Sequence, residues 1–347
     1  MPELPPRTTD SEPSLAIKLG MMVVSCLVTL GVGEGAVRYQ NDNALPQLNI
    51  FTEVDYGVAF QPSAHARVGG QGKDLFEVST DTLGLRSASA GDAPMGGCVL
   101  VVGDSQPLGQ GVDYAESFAA RLTADGVPTC NAGVPGYGVA DALASAEALL
   151  APLDPPTVLV VLNQANDWED ALEPITARYV VRGDWLVTLP EAETARGRFL
   201  RSPLSRSHLI FYLGWIVLKD WAPSERPAPD WMTNPAGEAG RTGEMLGAVD
   251  AFAARHPDRR VITAFLPVDV AAEASRVSES PFGGWAKMHE PWADATLRDQ
   301  VMAGRAATVD LLPTLKGCAD CFLSRDYHLS SVGHERVAGA LKAALAE

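Results

Sequence analysis

The sequence predicts an α/β protein whose parallel sheet is covered on both faces by helices, and three observations predict it. Residues 98–102 (CVLVV), 157–162 (TVLVVL) and 261–266 (VITAFL) are unbroken apolar runs, the pattern of strands buried on both faces. Helix-patterned stretches over 116–125, 141–150 and 244–255 alternate with these strands, which argues for parallel rather than hairpin connections. With 46% hydrophobic and 20% charged residues in a chain of 347, a large core can form.

From the N-terminus, residues 1–14 form a short Pro-rich tail. Residues 19–33 carry no charge; extended to 15–37 the stretch is about 34 Å long as a helix, enough for a hydrocarbon core of about 30 Å. Lys18 and Arg38 can reach the two headgroup layers. The rival reading is a cleaved signal peptide. However, Gly31-Val32-Gly33 is a poor cleavage site, and the chain stays apolar after Cys26, unlike a lipoprotein signal. An uncleaved transmembrane anchor over 15–37 is therefore expected, with the N-terminus inward. Residues 38–97 are rich in turn formers and hold short alternating pieces such as 75–78, a β-containing lead-in.

The main domain, 98–347, begins with the first apolar strand. A helix over 116–125, a short strand toward Cys130, an Ala-rich helix over 141–150 and the strand 157–162 follow. Residues 168–240 break the alternation with Pro, Trp and charged residues and one helical stretch near 209–218. They read as an insertion above the sheet, a lid or substrate platform. The alternation resumes with the helix 244–255 and the strand 261–266. A weaker strand at 306–311 and an amphipathic helix over 331–346, with Val332, Val337, Leu341 and Leu345 on one side, close the chain.

Net charge is −16, from 43 acidic and 27 basic residues, which repels phosphate backbones and argues against nucleic acid as a partner. His65, His208, His256 and His289 show no metal-ligand spacing, and nothing calls for a metal or a cofactor. Of the five cysteines, Cys98 and Cys130 are expected as separate small buried thiols. Cys318 and Cys321, a lone pair with no His at the usual spacing, argue against zinc. They are either two thiols or, in an exported domain, a local disulfide.

Polar clusters stand where a parallel sheet presents its carboxyl ends, the place ligands bind. Gly103-Asp104-Ser105 follows the first strand, residues 131–138 (NAGVPGYG) the second and residues 163–167 (NQAND) the third; Asp326-Tyr327-His328 precedes the last helix. A serine hydroxyl needs a base to become a nucleophile, and His suits neutral pH. An acid then orients the imidazole, and preset donors receive the oxyanion. Ser105 as nucleophile, His328 as base and Asp326 as acid fill these roles, with Ser105, Gly136 and Asn166 as oxyanion hole. The plainer reading of Ser105 is a turn or capping serine. Asp104 is expected to fix a local turn, Asp167 to do the same or to contact substrate, and His334 to be a surface or capping residue of the last helix. Tyr137 and Trp168 flank the pocket, where they pack or stack on a sugar.

These clusters resemble the four sequence blocks of the GDSL/SGNH hydrolase family, in the family's order. Gly103-Asp104-Ser105 with Gly109 matches the nucleophile block, Gly136 the oxyanion glycine, Asn166-Asp167 the third block, and His328 with Gly333-His334 the closing block. Residues 81–86 (DTLGLR) also resemble the lead-in of membrane-anchored bacterial members. The resemblance implies a three-layer α/β/α sandwich with a flavodoxin-like parallel sheet, and hydrolysis or transfer of ester-linked acyl groups, in several relatives on O-acetylated polysaccharides. Three positions depart from the pattern. Gln164 replaces a Gly, narrowing the space beside Asn166, and Gln106 replaces an apolar residue. The acid is carried by Asp326, as in relatives resembling alginate-acetylation proteins, because Arg325 holds its more usual place.

The expected protein is thus a serine-dependent esterase or O-acyltransferase. It would act on a small acyl ester, acetyl by preference, of a carbohydrate, from an anchor that leaves the domain extracytoplasmic (periplasmic in a Gram-negative cell). A non-catalytic carbohydrate-binding or assembly subunit that keeps the fold, favoured by Gln164 and the shifted acid, and a lipid esterase, favoured by the anchor and the stretch near 209–218, are the alternatives.

Overall fold

A computed structural model describes residues 14–70, 73–167, 173–217, 235–278, 280–281, 295–303 and 307–347. The apolar N-terminal stretch forms one helix, α1 (Leu15–Gln40), with no buried residue. Ser14 caps it, its side chain accepting from the Ile17 N–H. A hairpin of β1 (Phe51–Val54) and β2 (Gly57–Phe60) follows. Then come β3 (His65–Gly70), β4 (Lys73–Thr80) and β5 (Arg86–Ser87). In β4, Phe76 and Val78 are buried while Leu75 and Glu77 are exposed, the alternation visible in the sequence.

The main alternation runs β6 (Val99–Gly103), α2 (Ser105–Leu108), α3 (Phe118–Ala124), β7 (Thr129–Gly133), α4 (Val139–Leu153) and β8 (Thr157–Asn163). The insertion contributes the hairpin β9 (Tyr179–Arg182) and β10 (Trp185–Thr188) and the helices α5 (Ala195–Arg201) and α6 (His208–Val217). The chain ends with α7 (Pro235–Arg255), β11 (Arg260–Leu266), β12 (Thr308–Asp310) and α8 (Ser331–Leu345).

One sheet has the order β12-β11-β8-β6-β7-β5-β4-β3. Its first five strands are parallel, in the flavodoxin-like order, and β5, β4 and β3 extend it antiparallel beside β7. Side chains of the parallel strands alternate between two apolar layers. Leu100, Val102, Val158, Val160 and Phe265 pack with α4 and α7. Val99, Val101, Leu159, Val161 and Ile262 pack with α3 and α8 on the other face. Two covered faces explain why these strands are apolar throughout, and they define the three layers.

The insertion has its own small core, in which Trp185 stacks on Phe211 at 5.0 Å with Leu200 and Val187 around them. It is tied to the lead-in: the Phe51 N–H donates to the Asp184 carbonyl at 3.0 Å, and Gln61 Nε2 to Asp184 Oδ1 at 2.9 Å.

One expectation is overturned. Cys98 and Cys130 are not separate thiols but a disulfide. The register of β6 on β7 sets Leu100 opposite Cys130, and the two cysteine Cα atoms fall 5.8 Å apart, within the bridging range. Adjacency of two strands is a property of sheet order, which neither run shows on its own. At the other pair the disulfide alternative is the one found, Cys318 to Cys321.

Candidate active site

The site is built where β6 turns into α2. Gly103 has φ +149°, and a Cβ there would lie 2.9 Å from Pro107 Cγ and 3.0 Å from the Val161 carbonyl oxygen. Only glycine lets the strand enter the helix at this point. Asp104 caps α2, Oδ1 accepting from the Gln106 N–H at 2.9 Å, while Oδ2 accepts from Asn163 Nδ2 at 2.7 Å. Burial pushes its carboxyl up, against the hydrogen bonds from Asn163 and Gln106 and the nearby His328.

Ser105, buried, begins α2 with its Oγ 2.8 Å from His328 Nε2. His328 Nδ1 lies 2.6 Å from Asp326 Oδ1, which also accepts from the His328 N–H at 3.2 Å. Burial acts to raise the Asp326 carboxyl, but the hydrogen bonds and charge of His328 outweigh it and hold it below the usual range. An ionised carboxylate only accepts, so Nδ1 carries the proton and Nε2 faces Ser105 as acceptor. That is the tautomer a general base requires.

Asp326 and His328 sit on a small hairpin. Phe322 bridges Leu329, the Leu323 N–H donates to the His328 carbonyl at 2.9 Å, and Arg325 takes the turn with φ +57°. The Cys318–Cys321 bridge and a bond from the Ser330 N–H to the Cys321 carbonyl close its base.

Two side chains hold this hairpin, and both escaped the sequence reading as functional residues. Gln106, noted there only as a departure, donates from Nε2 to the Tyr327 carbonyl at 3.0 Å and accepts at Oε1 from the Leu329 N–H at 3.1 Å. One amide thus brackets His328 on both sides, from the residue next to Ser105. Arg276 donates from Nη2 to the carbonyls of Leu323 and Asp326 at 2.6 and 2.7 Å and pairs through Nε with Asp269 at 3.4 Å. Asp269 is buried, which raises its carboxyl to about 6 against the bonds from Ser280 and Arg276.

The other expected residues are placed as follows. The loop after β7 is fixed at Val134, whose N–H donates to the Gly103 carbonyl at 3.1 Å, and Gly136 follows with φ +85°. Arg178 donates to the Gly136 carbonyl at 2.8 Å, which leaves the peptide oriented by the insertion. Gly133 allows close approach here, since a Cβ would fall 2.4 Å from the Leu108 nitrogen. Asn166 is half-buried, and its Oδ1 accepts from Asn163 Nδ2 at 2.6 Å. Asn163 therefore joins Asp104 and Asn166, a role its place at the strand end could have signalled.

Several expectations change. Gln164 does not crowd Asn166; it turns to the Val268 N–H, accepting at 3.1 Å. Tyr137 is buried and donates its hydroxyl to the Val58 carbonyl, so it packs rather than offering a face to a sugar. His334 is not on the surface and does not cap its own helix. Buried, it accepts at Nδ1 from the Phe118 N–H at 3.2 Å and so caps α3, and burial pushes its imidazole down to about 3. Of the two alternatives for Asp167 the structure shows the local turn, Oδ2 accepting from the Asn163 N–H at 2.6 Å. Trp168 lies outside the described residues. A cavity of about 300 Å³ lined by Arg86, Asp92, Tyr114 and Asn131 includes none of the three relay residues.

A Ser-His-Asp relay at the carboxyl ends of a doubly wound sheet is the constellation of serine acyl-transfer chemistry. Among solved structures the chain is similar to an alpha/beta hydrolase enzyme from the metagenome of Lake Arreo, Spain, at 14% identity over 73% of this chain and 97% of that one, TM-score 0.39. It is similar to the lipase/acylhydrolase from Enterococcus faecalis at 15% identity, over 71% and 93%, TM-score 0.36. It is also similar to a GDSL-like lipase from Bacteroides thetaiotaomicron at 11%, over 72% and 88%, TM-score 0.34. No family model and no curated protein matches the sequence. Likeness at these values does not assign a family, and the chemistry below rests on the chain's own geometry.

Proposed function

We propose that the chain is a serine-dependent esterase or O-acyltransferase working through an acyl-enzyme on Ser105. The supporting observation is the unbroken relay from Ser105 Oγ through His328 to Asp326, at 2.8 and 2.6 Å. His328 Nε2 takes the hydroxyl proton as Oγ attacks the ester carbonyl carbon, and Asp326 stabilises the imidazolium. The N–H groups of Ser105 and Gly136 and the Asn166 amide receive the oxyanion, each donor worth roughly 3 kcal/mol of barrier in such sites. His328 returns the proton to the leaving alkoxide; water or a sugar hydroxyl then attacks the acyl carbon, its proton passing through His328 to Ser105 Oγ as the acyl–Oγ bond breaks.

The substrate class proposed is a small acyl ester, acetyl by preference, on a carbohydrate. Tyr179 supports this: its ring lies 3.5 Å from where a Cβ on Gly136 would stand, an aromatic surface beside the proposed oxyanion loop. We further propose that α1 is a membrane anchor and the domain extracytoplasmic. Two disulfides support the latter, because such bonds persist in oxidising compartments.

Treating the full chain with a fluorophosphonate and recording intact mass tests the reading. One adduct on wild type, absent from Ser105→Ala, is expected. No adduct on folded protein would reject the esterase and leave a binding subunit. With an adduct in hand, faster turnover of long-chain than of acetyl esters would replace the carbohydrate substrate by a lipid.

A further inference from the structure

Helix α1 does not end as a loose tether. Glu34, in its last two turns, accepts from Ser207 Oγ and the Leu209 N–H at 2.8 Å each, and from the His208 N–H at 3.0 Å. One carboxylate of α1 thus receives the first N–H groups of α6, its negative charge at the positive end of that helix. Arg38 completes the joint, donating to Glu34 Oε1 at 2.7 Å and to the Arg206 carbonyl at 3.3 Å.

The joint also sets a height. A Cβ on Gly33 would lie 3.0 Å from Leu209 Cδ2, so the first turn of α6 stands level with the end of the apolar stretch of α1. Leu213, one turn on, is 50% exposed, and Leu204 just before the helix is 55% exposed. Residues 195–217 contain four arginines and no acidic residue, in a chain of net charge −16. Arg198, Arg201 and Arg206 are exposed, and Arg206 also pairs through Nη2 with Asp184 Oδ2 at 2.7 Å.

We propose that Leu204, Leu209 and Leu213, flanked by Arg201 and Arg206, rest in the headgroup layer of the bilayer that α1 crosses. The domain then sits on the membrane at one attitude instead of swinging from a tether. Continuity with α1 and the local reversal of charge select an anionic lipid surface over a protein partner. Apolar side chains at the acyl boundary beside arginines are the chemistry of an interfacial segment. The inference rests on the anchor reading of α1 but not on the ester chemistry.

The test uses the full chain in nanodiscs of phosphatidylcholine and phosphatidylglycerol, with an NBD fluorophore on one cysteine. The native Cys26, exposed on α1, is the control position. Leu213→Cys and Leu204→Cys, each with Cys26→Ser, are the test positions. We expect quenching of Cys26 by lipids carrying a deep doxyl group. At 213 and 204 we expect blue-shifted emission quenched more by shallow than by deep doxyl groups. With Arg201→Ser and Arg206→Ser together, the shallow quenching falls and loses its dependence on phosphatidylglycerol. A quenched Cys26 with water-like emission at both test positions would overturn the docking and leave the anchor standing. Blue-shifted but unquenched emission would also overturn it, assigning the face to a second copy or a protein partner. An unquenched Cys26 removes the anchor, and the docking with it.

Discussion

Ser105 and His328, the proposed nucleophile and base, depend on Asp326 and Gln106 for their placing. Asp326→Asn keeps the shape of the acid but loses its charge and lets the amide present a donor to Nδ1. The rate of fluorophosphonate labelling is expected to fall by about 10³-fold or more, as when the acid of a Ser-His-Asp triad is replaced. Gln106→Leu fills the same space but leaves the Tyr327 carbonyl and the Leu329 N–H unpaired, at a cost of roughly 1–3 kcal/mol. Its labelling rate should fall at least tenfold while Gln106→Glu, which keeps the acceptor for Leu329, falls less. Equal rates for Gln106→Leu and wild type would end the positioning role. The sequence displayed the relay because Ser105, Asp326 and His328 are polar residues at strand ends and before a helix. It did not display the work of Gln106 or Arg276, whose partners are backbone atoms of the distant 323–329 hairpin and carry no side-chain signature.

Among the elements, α8 shows how a helix can serve another helix. His334 is held neutral inside the core while an unfolded chain protonates it near pH 6.5. Between pH 6.5 and 3 the unfolded state binds the extra proton, so stability falls as the pH is lowered through that window. Against His334→Asn, whose side-chain oxygen can still cap α3, the wild-type advantage in urea unfolding should shrink by roughly 2 kcal/mol from pH 7 to pH 5. An advantage that stays constant would mean the imidazole is solvated. The buried face was written in the sequence: His334 precedes Val337 by three residues and Leu341 by seven, the spacing of one helix face. Helix type and place were legible for 141–150 and 331–346 because their apolar periodicity is long. The order of strands was not, since adjacency is decided by crossovers.

For the whole molecule the two disulfides give the plainest forecast. Iodoacetamide on the unfolded protein should add one group without reduction, at Cys26, and five after reduction. Replacing Cys98 and Cys130 together by Ser opens a cross-link spanning 32 residues and should cost about 3–4 kcal/mol, read as a lower urea midpoint. More adducts on the unreduced protein would mean that a bridge is absent. The lead-in and the insertion were the least legible parts. Apart from β3 and β4 their strands have four residues or fewer, and their cores form between segments such as Leu45 and Trp185 that no local pattern connects.

The distance in sequence between Ser105 and His328, the proposed nucleophile and base, is 223 residues and has a bearing on biosynthesis. A chain still being made can form the β6–α2 turn and present Ser105 long before residue 328 has left the ribosome. Until then the hydroxyl has no base beside it and is as inert as any surface serine. Under the proposed chemistry, reactivity would arrive only once residue 328 is in place beside it. If that chemistry holds, fragments ending before residue 328 would lack the base and could neither form an acyl-enzyme nor attack esters during synthesis.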